Sequence, residues 1–424
     1  MWPNSGEILP AAFADSGVRV VSFRPHSVEP SGGGYLFGYE VDTVDAAGIE
    51  ATVLTFIDTD PASVEAFEAV GGSGDGAVVA DPATGLPVRV WAYPSDPALP
   101  ALATVTYPER VVELLAEAGI TAVDPRLTVA AYRPGKRAVI RADCGDASYF
   151  LKVVRPSRAE PIAAQHQAFI DQGLPVPRVV AVRPDGLLVL ERVRGVPAGT
   201  RVIDIAHGSG FVHSLVALCH AVAGVRLTQQ AQADALDNAA WHRRSLVASL
   251  PDHAARIHRV YDEIDLRRSF WSPDERQVVH GDLHFEQLFV DADDPGMISG
   301  LLDIDTAGWG HPARDSGALV AHLVVTAQWH RGNGDSDEAR ACESIADAVV
   351  LAWTSANTGI ADRLSPTIAS QLLAHAGGQA TLDTDIGRAK ALQLLDAVEG
   401  TLWPGHPEQD SGWTPSVALG TPPA

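Results

Sequence analysis

Between Val278 and Asp315 the chain gathers the residue types that phosphoryl transfer requires. VVHGDLHFEQLFV holds His280, Asp282, His284 and Gln287, and GLLDIDTAGWGHPARD holds Asp303, Asp305 and Asp315. Such a reaction uses one carboxylate to orient the attacking hydroxyl and accept its proton. A second carboxylate, helped by an amide oxygen, holds Mg²⁺ against the phosphates. Asp282 fits the first role; Gln287 and Asp303 fit the second. An isolated His-Gly-Asp would mostly be an Asp capping a turn. Here it is followed by an aspartate pair and a Pro-x-x-Asp, and that length favours chemistry over capping.

The elements that must position these groups are short and apolar. Runs at 277–280 and 288–290 predict strands flanking the polar loop, and a third at 298–302 delivers Asp303 and Asp305 at its end. Carboxylates placed where buried strands stop are held rigidly and still face a cleft.

HGDLHFEQ and LDIDTAGWGHPARD resemble the catalytic loop and metal motif of aminoglycoside phosphotransferase-like kinases, a group that includes antibiotic, choline, homoserine, maltose and glucosamine kinases. The resemblance covers residues 120–400 and is strong over 278–315. It implies an α+β, two-lobed protein-kinase-like fold, with a β-rich first lobe and a mainly helical second lobe. It also implies ATP and Mg²⁺ as cofactors, Asp282 as catalytic base and Asp303 as main metal ligand. Asp305 would be a further metal contact, Asp315 would hydrogen-bond the catalytic loop from a following helix, and His280 and His284 would support that loop. Where the family usually has a metal-binding Asn, this chain has Gln287, which keeps the amide oxygen on a longer arm.

Composition bounds the remaining classes. The 424 residues suffice for two or three domains with a sizeable core. A net charge of −22 repels nucleic acid and anionic lipid and would draw in a cationic acceptor. Three well-separated cysteines, Cys144, Cys219 and Cys342, argue against a disulfide framework or a zinc site and for a reducing compartment. Neither a signal peptide nor a membrane span is expected, which points to the cytoplasm.

Upstream, residues 17–59 read as three β-type runs, 70–80 as a loop, 87–93 as a strand and 107–118 as an amphipathic helix ending at Gly119. A second strand set follows: LTVAAYRP, AVIRAD and YFLKVVR, which resembles VRVVSFRP, YLFGYEVD and TVLTFID of the first. The two sets read equally as a degenerate internal repeat or as two unrelated meanders. Where the second has Lys152 the first has Thr55, so the first set is expected to be a cap or scaffold rather than a second active site. Lys152 sits mid-strand among apolar neighbours, where an ammonium needs a partner; a phosphate is one.

The kinase-like fold wants three further features near that lysine. The turn at 133–139, with Gly135, would cover the phosphates with backbone N–H groups. Glu160, beside Pro161 at a helix start, would pair with Lys152, although a first-turn Glu serving the helix dipole is an equal reading. Backbone around Arg192 and Val193 would receive adenine at the hinge between lobes. Helices are expected through 204–268, after Asp315, and at 343–357, 366–377 and 384–403, with Trp329, Trp353 and Trp403 as core residues or sugar platforms.

The expected organisation is a cap domain over 1–105, a kinase-like first lobe over 106–194, a helical lobe over 195–405 and a loose tail over 406–424. The expected activity is transfer of the ATP γ-phosphoryl group to a small-molecule hydroxyl, on a sugar, an amino sugar or an aminoglycoside-type antibiotic. A protein acceptor is disfavoured, since nothing resembles an activation segment ending in Ala-Pro-Glu. The competing class is a catalytically inactive, nucleotide-binding partner protein. Against it, a decayed site has no physical reason to keep Lys152, Asp282 and Asp303.

Overall fold

The computed structural model describes residues 3–69, 76–271, 276–355, 360–382, 384–404, 413 and 415. The chain forms two compact units, Met1–Ala163 with Val179–Arg192, and Ala164–Arg178 with Val193–Ala424. Among the described residues the first unit carries two five-stranded sheets and the second is mainly helical, so the fold is α+β.

In the first sheet α1 (Ser5–Ala12) precedes β1 (Val18–Ser31), β2 (Gly34–Asp45) and β3 (Glu50–Asp58). Then come α2 (Pro61–Ala69), β4 (Ala77–Ala80) and β5 (Pro87–Ala92). β4 corrects the reading of 70–80 as a loop: Ala77–Ala80 pairs with β5, while 70–75 lie outside the described residues. The period-2 alternation of β2 sends Phe37, Tyr39 and Val41 onto Ile8 and Leu9 of α1, and Leu36 to the other face with Phe56 and Trp91.

α3 (Leu102–Val105) and α4 (Pro108–Glu117) follow. α4 starts on a proline and is terminated by Gly119 at φ +76, whose successor Ile120 returns its N–H to Leu115 O at 2.8 Å. The second sheet contains β6 (Arg126–Arg133), β7 (Arg137–Cys144), β8 (Ala147–Val154), β9 (Val179–Val182) and β10 (Leu187–Glu191), with α5 (Pro156–Asp171) between β8 and β9. The strand orders are β1-β2-β3-β5-β4 and β6-β7-β8-β10-β9, so both sheets follow one topology, each with a helix after its third strand. Thr55 and Lys152 occupy corresponding places, 0 % and 4 % exposed.

The second unit runs β11 (Val196–Pro197), α6 (Val202–His207), α7 (Phe211–Ala223), α8 (Ala239–Ser249) and α9 (Ala254–Arg268). After these come β12 (Gln277–Val279), β13 (Leu288–Val290), β14 (Ile298–Leu301) and β15 (Gly308–Gly310), then α10 (Ala313–Asn333), α11 (Ser336–Ser355), α12 (Ala361–Ala380) and α13 (Asp385–Leu402). α11 and α12 begin about one turn or more earlier than their apolar patterns suggest; Pro366 lies inside α12. One core joins these helices to the short strands, through Phe211, Leu215, Tyr261, Leu288, Leu301 and Leu319 among others. In the tail, expected to be loose, Trp413 is buried in that core; the rest of 405–424 except Pro415 lies outside the described residues. No helix among the described residues is long and apolar enough to cross a membrane.

Candidate active site

The loop after β12 is set by backbone chemistry. Gly281 has φ +90, and a Cβ there would stand 2.5 Å from Thr306 O, so no side chain fits between His280 and Asp282. Asp315, in the first turn of α10 and 5 % exposed, accepts the His280 N–H on Oδ2 at 2.8 Å and the Gly281 N–H on Oδ1 at 2.9 Å. His280 adds two ties. Its Nε2 donates to Leu302 O at 2.8 Å, which fixes the tautomer, and its carbonyl accepts from Thr306 Oγ1 at 2.8 Å. Asp282, the next residue, is exposed at the tip of this clamped turn, between buried Gly281 and buried Leu283.

The second group of carboxylates follows β14. Asp303 has φ 57 and ψ 38, a left-handed backbone rare outside glycine and cheapest for Asp and Asn. Strain of this kind collects where a side chain must be aimed. Ile304–Thr306, a 3₁₀ turn, carries half-buried Asp305. Gln165 of α5 steadies this turn, donating Nε2 to Ile304 O at 2.5 Å and to Ala307 O at 3.2 Å. Gln287 is 4 % exposed, and its backbone carbonyl accepts the Leu302 N–H at 2.9 Å, joining β13 to β14 directly before Asp303. Its amide oxygen folds back to the His284 N–H at 3.4 Å, a long contact that a cation could replace.

As a magnesium site the donor set is chemically suitable but sparse. Among the described residues no three His, Cys, Asp or Glu side chains converge as a metal-ligating group. Magnesium held by one or two carboxylates, with water and substrate phosphates completing its shell, does not need three.

Beside Asp282 lies a cavity of about 260 Å³ within the second unit. Its polar wall is Asp234, Asn238, His242, Asp282, Thr306 and Gln371, and Ala233, Ala235 and Ala374 supply the apolar part. The 229–238 segment builds this wall. Ala231 and Gln232 donate their N–H groups to Trp309 O and Thr306 O at 3.1 and 3.0 Å, and a Cβ on Gly308 would lie 2.5 Å from Ala231 N. Arg314, 6 % exposed, locks the same segment to the catalytic loop. Its Nε stands 3.2 Å from Asp234 Oδ2 and donates to Gly281 O at 3.2 Å, while its terminal nitrogen donates to Gln232 O. Burial holds the Asp234 carboxyl above its ordinary range even beside that guanidinium, and burial holds His242 below its own. Sequence reading passed over Arg314, Gln165 and the 229–238 wall. The available signal was an arginine directly before Asp315, facing an Asp pair in DALD.

The residues expected on the nucleotide side lie mostly in the first unit. Lys152 is buried in β8, flanked by Val139 on β7 and Leu188 on β10. Glu160 is exposed on α5, so the two expected partners differ in burial. The helix begins at Pro156, which puts Pro161 inside it rather than in its first turn. Gly135 has φ +68, as a tight turn requires. Its N–H donates to Asp96 and that of Lys136 to Arg133 O. The chain passes from one unit to the other between Arg192 and Val193.

Behind the catalytic loop three imidazoles form a row. His284 stacks on His322 of α10 at 4.5 Å and 17°, and His322 meets the His375 ring of α12 edge-on at 5.1 Å. Burial first pushes all three down to about 4, and a second imidazole adds to it: His280 for His284, His284 for His322 and His322 for His375. None of the three Trp candidates lines the Asp282 cavity: Trp353 is core, Trp403 is half-buried under Arg259, and Trp329 is exposed.

The model of the phosphotransferase enzyme family, APH, matches residues 136–348, half of the chain, and the protein belongs to that family. No curated protein matches the chain. Among solved structures it is similar to the aminoglycoside phosphotransferase APH(4)-Ia in ternary complex with AMP-PNP and hygromycin B, at 17% identity and TM-score 0.48, covering 70% of this chain and 99% of that one. The amicoumacin kinase hAmiN in complex with AMP-PNP, Ca²⁺ and Ami is similar at 14% identity and TM-score 0.44, covering 70% and 95%. A macrolide 2'-phosphotransferase type I is similar at 20% and 0.42, covering 67% and 94%.

Two outcomes are expected of this region. Asp315→Ala leaves the His280 and Gly281 N–H groups without an acceptor, at about 1–3 kcal/mol for each buried donor. Urea unfolding should show that loss, and amide exchange at 280–281 should accelerate. The row of histidines sets a pH dependence. Folded values near 4 lie below the unfolded 6.5, so the unfolded chain binds more protons between those limits. Stability is therefore complete above about pH 6.5 and falls as pH drops toward 4, by at most about 1.4 kcal/mol per pH unit for each histidine. His375→Gln should flatten the Tm-against-pH curve in that window; an unchanged slope would contradict the assignment.

Proposed function

We propose that this protein transfers the γ-phosphoryl group of ATP to a hydroxyl of a small polyhydroxylated molecule, a monosaccharide or amino sugar. The observation that carries the proposal is Asp282, exposed at the tip of a clamped loop and forming part of the wall of a polar cavity. Asp282 orients the acceptor hydroxyl and takes its proton as the phosphoryl group moves in line. Asp303 and Gln287 are the groups that would hold magnesium, with Asp305 as a further contact, and the metal would neutralise phosphate charge. Lys152 grips the phosphates, and backbone at Arg192 and Val193 receives the base. The first sheet, over residues 1–105, acts as a domain supporting the lobe at 106–194.

The cavity favours the acceptor class. At about 260 Å³ it is smaller than the roughly 300–1,000 Å³ of sites for drug-sized ligands, which suits a single ring better than a multi-ring antibiotic. Its polar side chains supply both donors and acceptors for several hydroxyls, and Asp234 and Asp282 suit an ammonium.

Magnesium-dependent ADP release, measured with and without acceptor, tests the proposal. Asp282→Ala should lower acceptor-dependent turnover roughly 10²–10⁴-fold with little change in Tm, since the residue is exposed. Full activity in that variant would rule out the assigned base.

A further inference from the structure

A second cavity in the helical unit, of about 460 Å³, shares Asp234 with the Asp282 cavity and none of its other lining residues. Three guanidiniums reach it from three elements: Arg268 at the end of α9, Arg276 directly before β12, and Arg314 in α10. Two carboxylates, Asp234 and Asp237, stand against them. In a chain of net charge −22 this wall runs against the average.

The acceptors of the wall are engaged. Asp234 Oδ1 accepts the Asp237 N–H at 2.9 Å, and Asp237 Oδ2 accepts the Asp234 N–H at 3.2 Å. Asp234 Oδ2 faces Arg314 Nε at 3.2 Å. The His311 ring stacks on Trp271 at 4.6 Å and 27°, and its Nε2 accepts from Arg363 at 2.8 Å. Burial, with the Arg276 charge second, holds that ring neutral, down to about 4.

The donors have capacity left. Arg268 donates to Leu236 O at 3.0 Å, and Arg276 donates to Trp309 O at 3.1 Å. A guanidinium carries five N–H donors, and a backbone carbonyl fixes its direction without neutralising its charge. Asp237, 3.6 Å from Arg268 and 3.7 Å from Arg314, forms long, exposed pairs of small worth. The Trp271 Nε1–H is buried and has no acceptor among the described residues. A ligand that satisfies this wall is rich in acceptors and negatively charged. Guanidiniums from three directions match the three terminal oxygens of a phosphomonoester better than the two of a carboxylate.

We propose that this cavity is a second ligand site, which binds the phosphate group of a small phosphomonoester, or inorganic phosphate itself, apart from ATP. Arg314 also donates to Gly281 O and Gln232 O, so an occupant meets the residue that joins the catalytic loop to the 229–238 segment.

The test titrates inorganic phosphate, glucose 6-phosphate and acetate calorimetrically into the full chain with Mg·AMP-PNP at saturation. Wild type should bind the two phosphate probes saturably. Arg268→Gln combined with Arg276→Gln should weaken that binding roughly tenfold or more, the loss of at least one charge-assisted hydrogen bond. Both side chains are exposed, so Tm and the Kd for Mg·AMP-PNP should hardly change. Trp271→Phe keeps the ring, removes one N–H and should weaken binding roughly three- to tenfold; it carries the test if the double variant does not fold. Tighter binding of glucose 6-phosphate than of phosphate assigns the site to a phosphomonoester, and the reverse assigns it to the free ion. The proposal is overturned by a wild type that binds neither phosphate probe, with or without Mg·AMP-PNP, or by binding that Mg·AMP-PNP displaces. Affinity unchanged in the variants, or acetate bound as tightly as phosphate, overturns it equally.

Discussion

One buried carboxylate sets the geometry on which the candidate site depends. Asp315 accepts two consecutive backbone N–H groups, and that is possible only because Gly281 adopts φ +90 and turns its peptide toward α10. The same turn leaves Asp282 exposed while its neighbours on both sides are buried. Bonds to a charged acceptor are about twice as strong as neutral ones, so a short loop without regular structure keeps one conformation. His280 extends the constraint to Leu302, the residue before Asp303, and ties the positions of the two aspartates to each other.

A second layer of constraint comes from chain far away in sequence. Arg314, next to Asp315, holds the 229–238 segment against the loop, and Gln165 holds the turn after Asp303. Buried polar networks of this kind are costly unless every member is paired, and here pairing also shapes the cavity beside Asp282. The first unit repeats the pattern on a smaller scale, with Asp96 and Glu29 outside the second sheet fixing its first hairpin turn.

What was legible in the sequence was local. The strand–loop–strand runs around Asp282 and before Asp303 carry their own signal, because the apolar runs are short and the polar residues fall between them. The α+β class and the family follow from those motifs and agree with the structure and the family match. The shared strand order of the two sheets was visible only as a faint likeness of three runs, since β4 is four residues long and its approach is polar. Contacts across long separations left no such trace. The Arg314–Asp234 pair spans 80 positions and Asp96–Gly135 spans 39, and neither is implied by spacing or periodicity. The turn at 133–139 reads as a weak phosphate loop because it has one glycine, and the bond from Gly135 to Asp96 lies outside that motif.

The most direct measurement is phosphorus NMR of Mg·ATP incubated with the protein and, in turn, monosaccharides, amino sugars and multi-ring aminoglycosides. The account predicts a new phosphomonoester resonance that grows in step with ADP for a single-ring acceptor. Esters formed only on multi-ring acceptors, or ATP lost to inorganic phosphate with no ester under any condition, would contradict it.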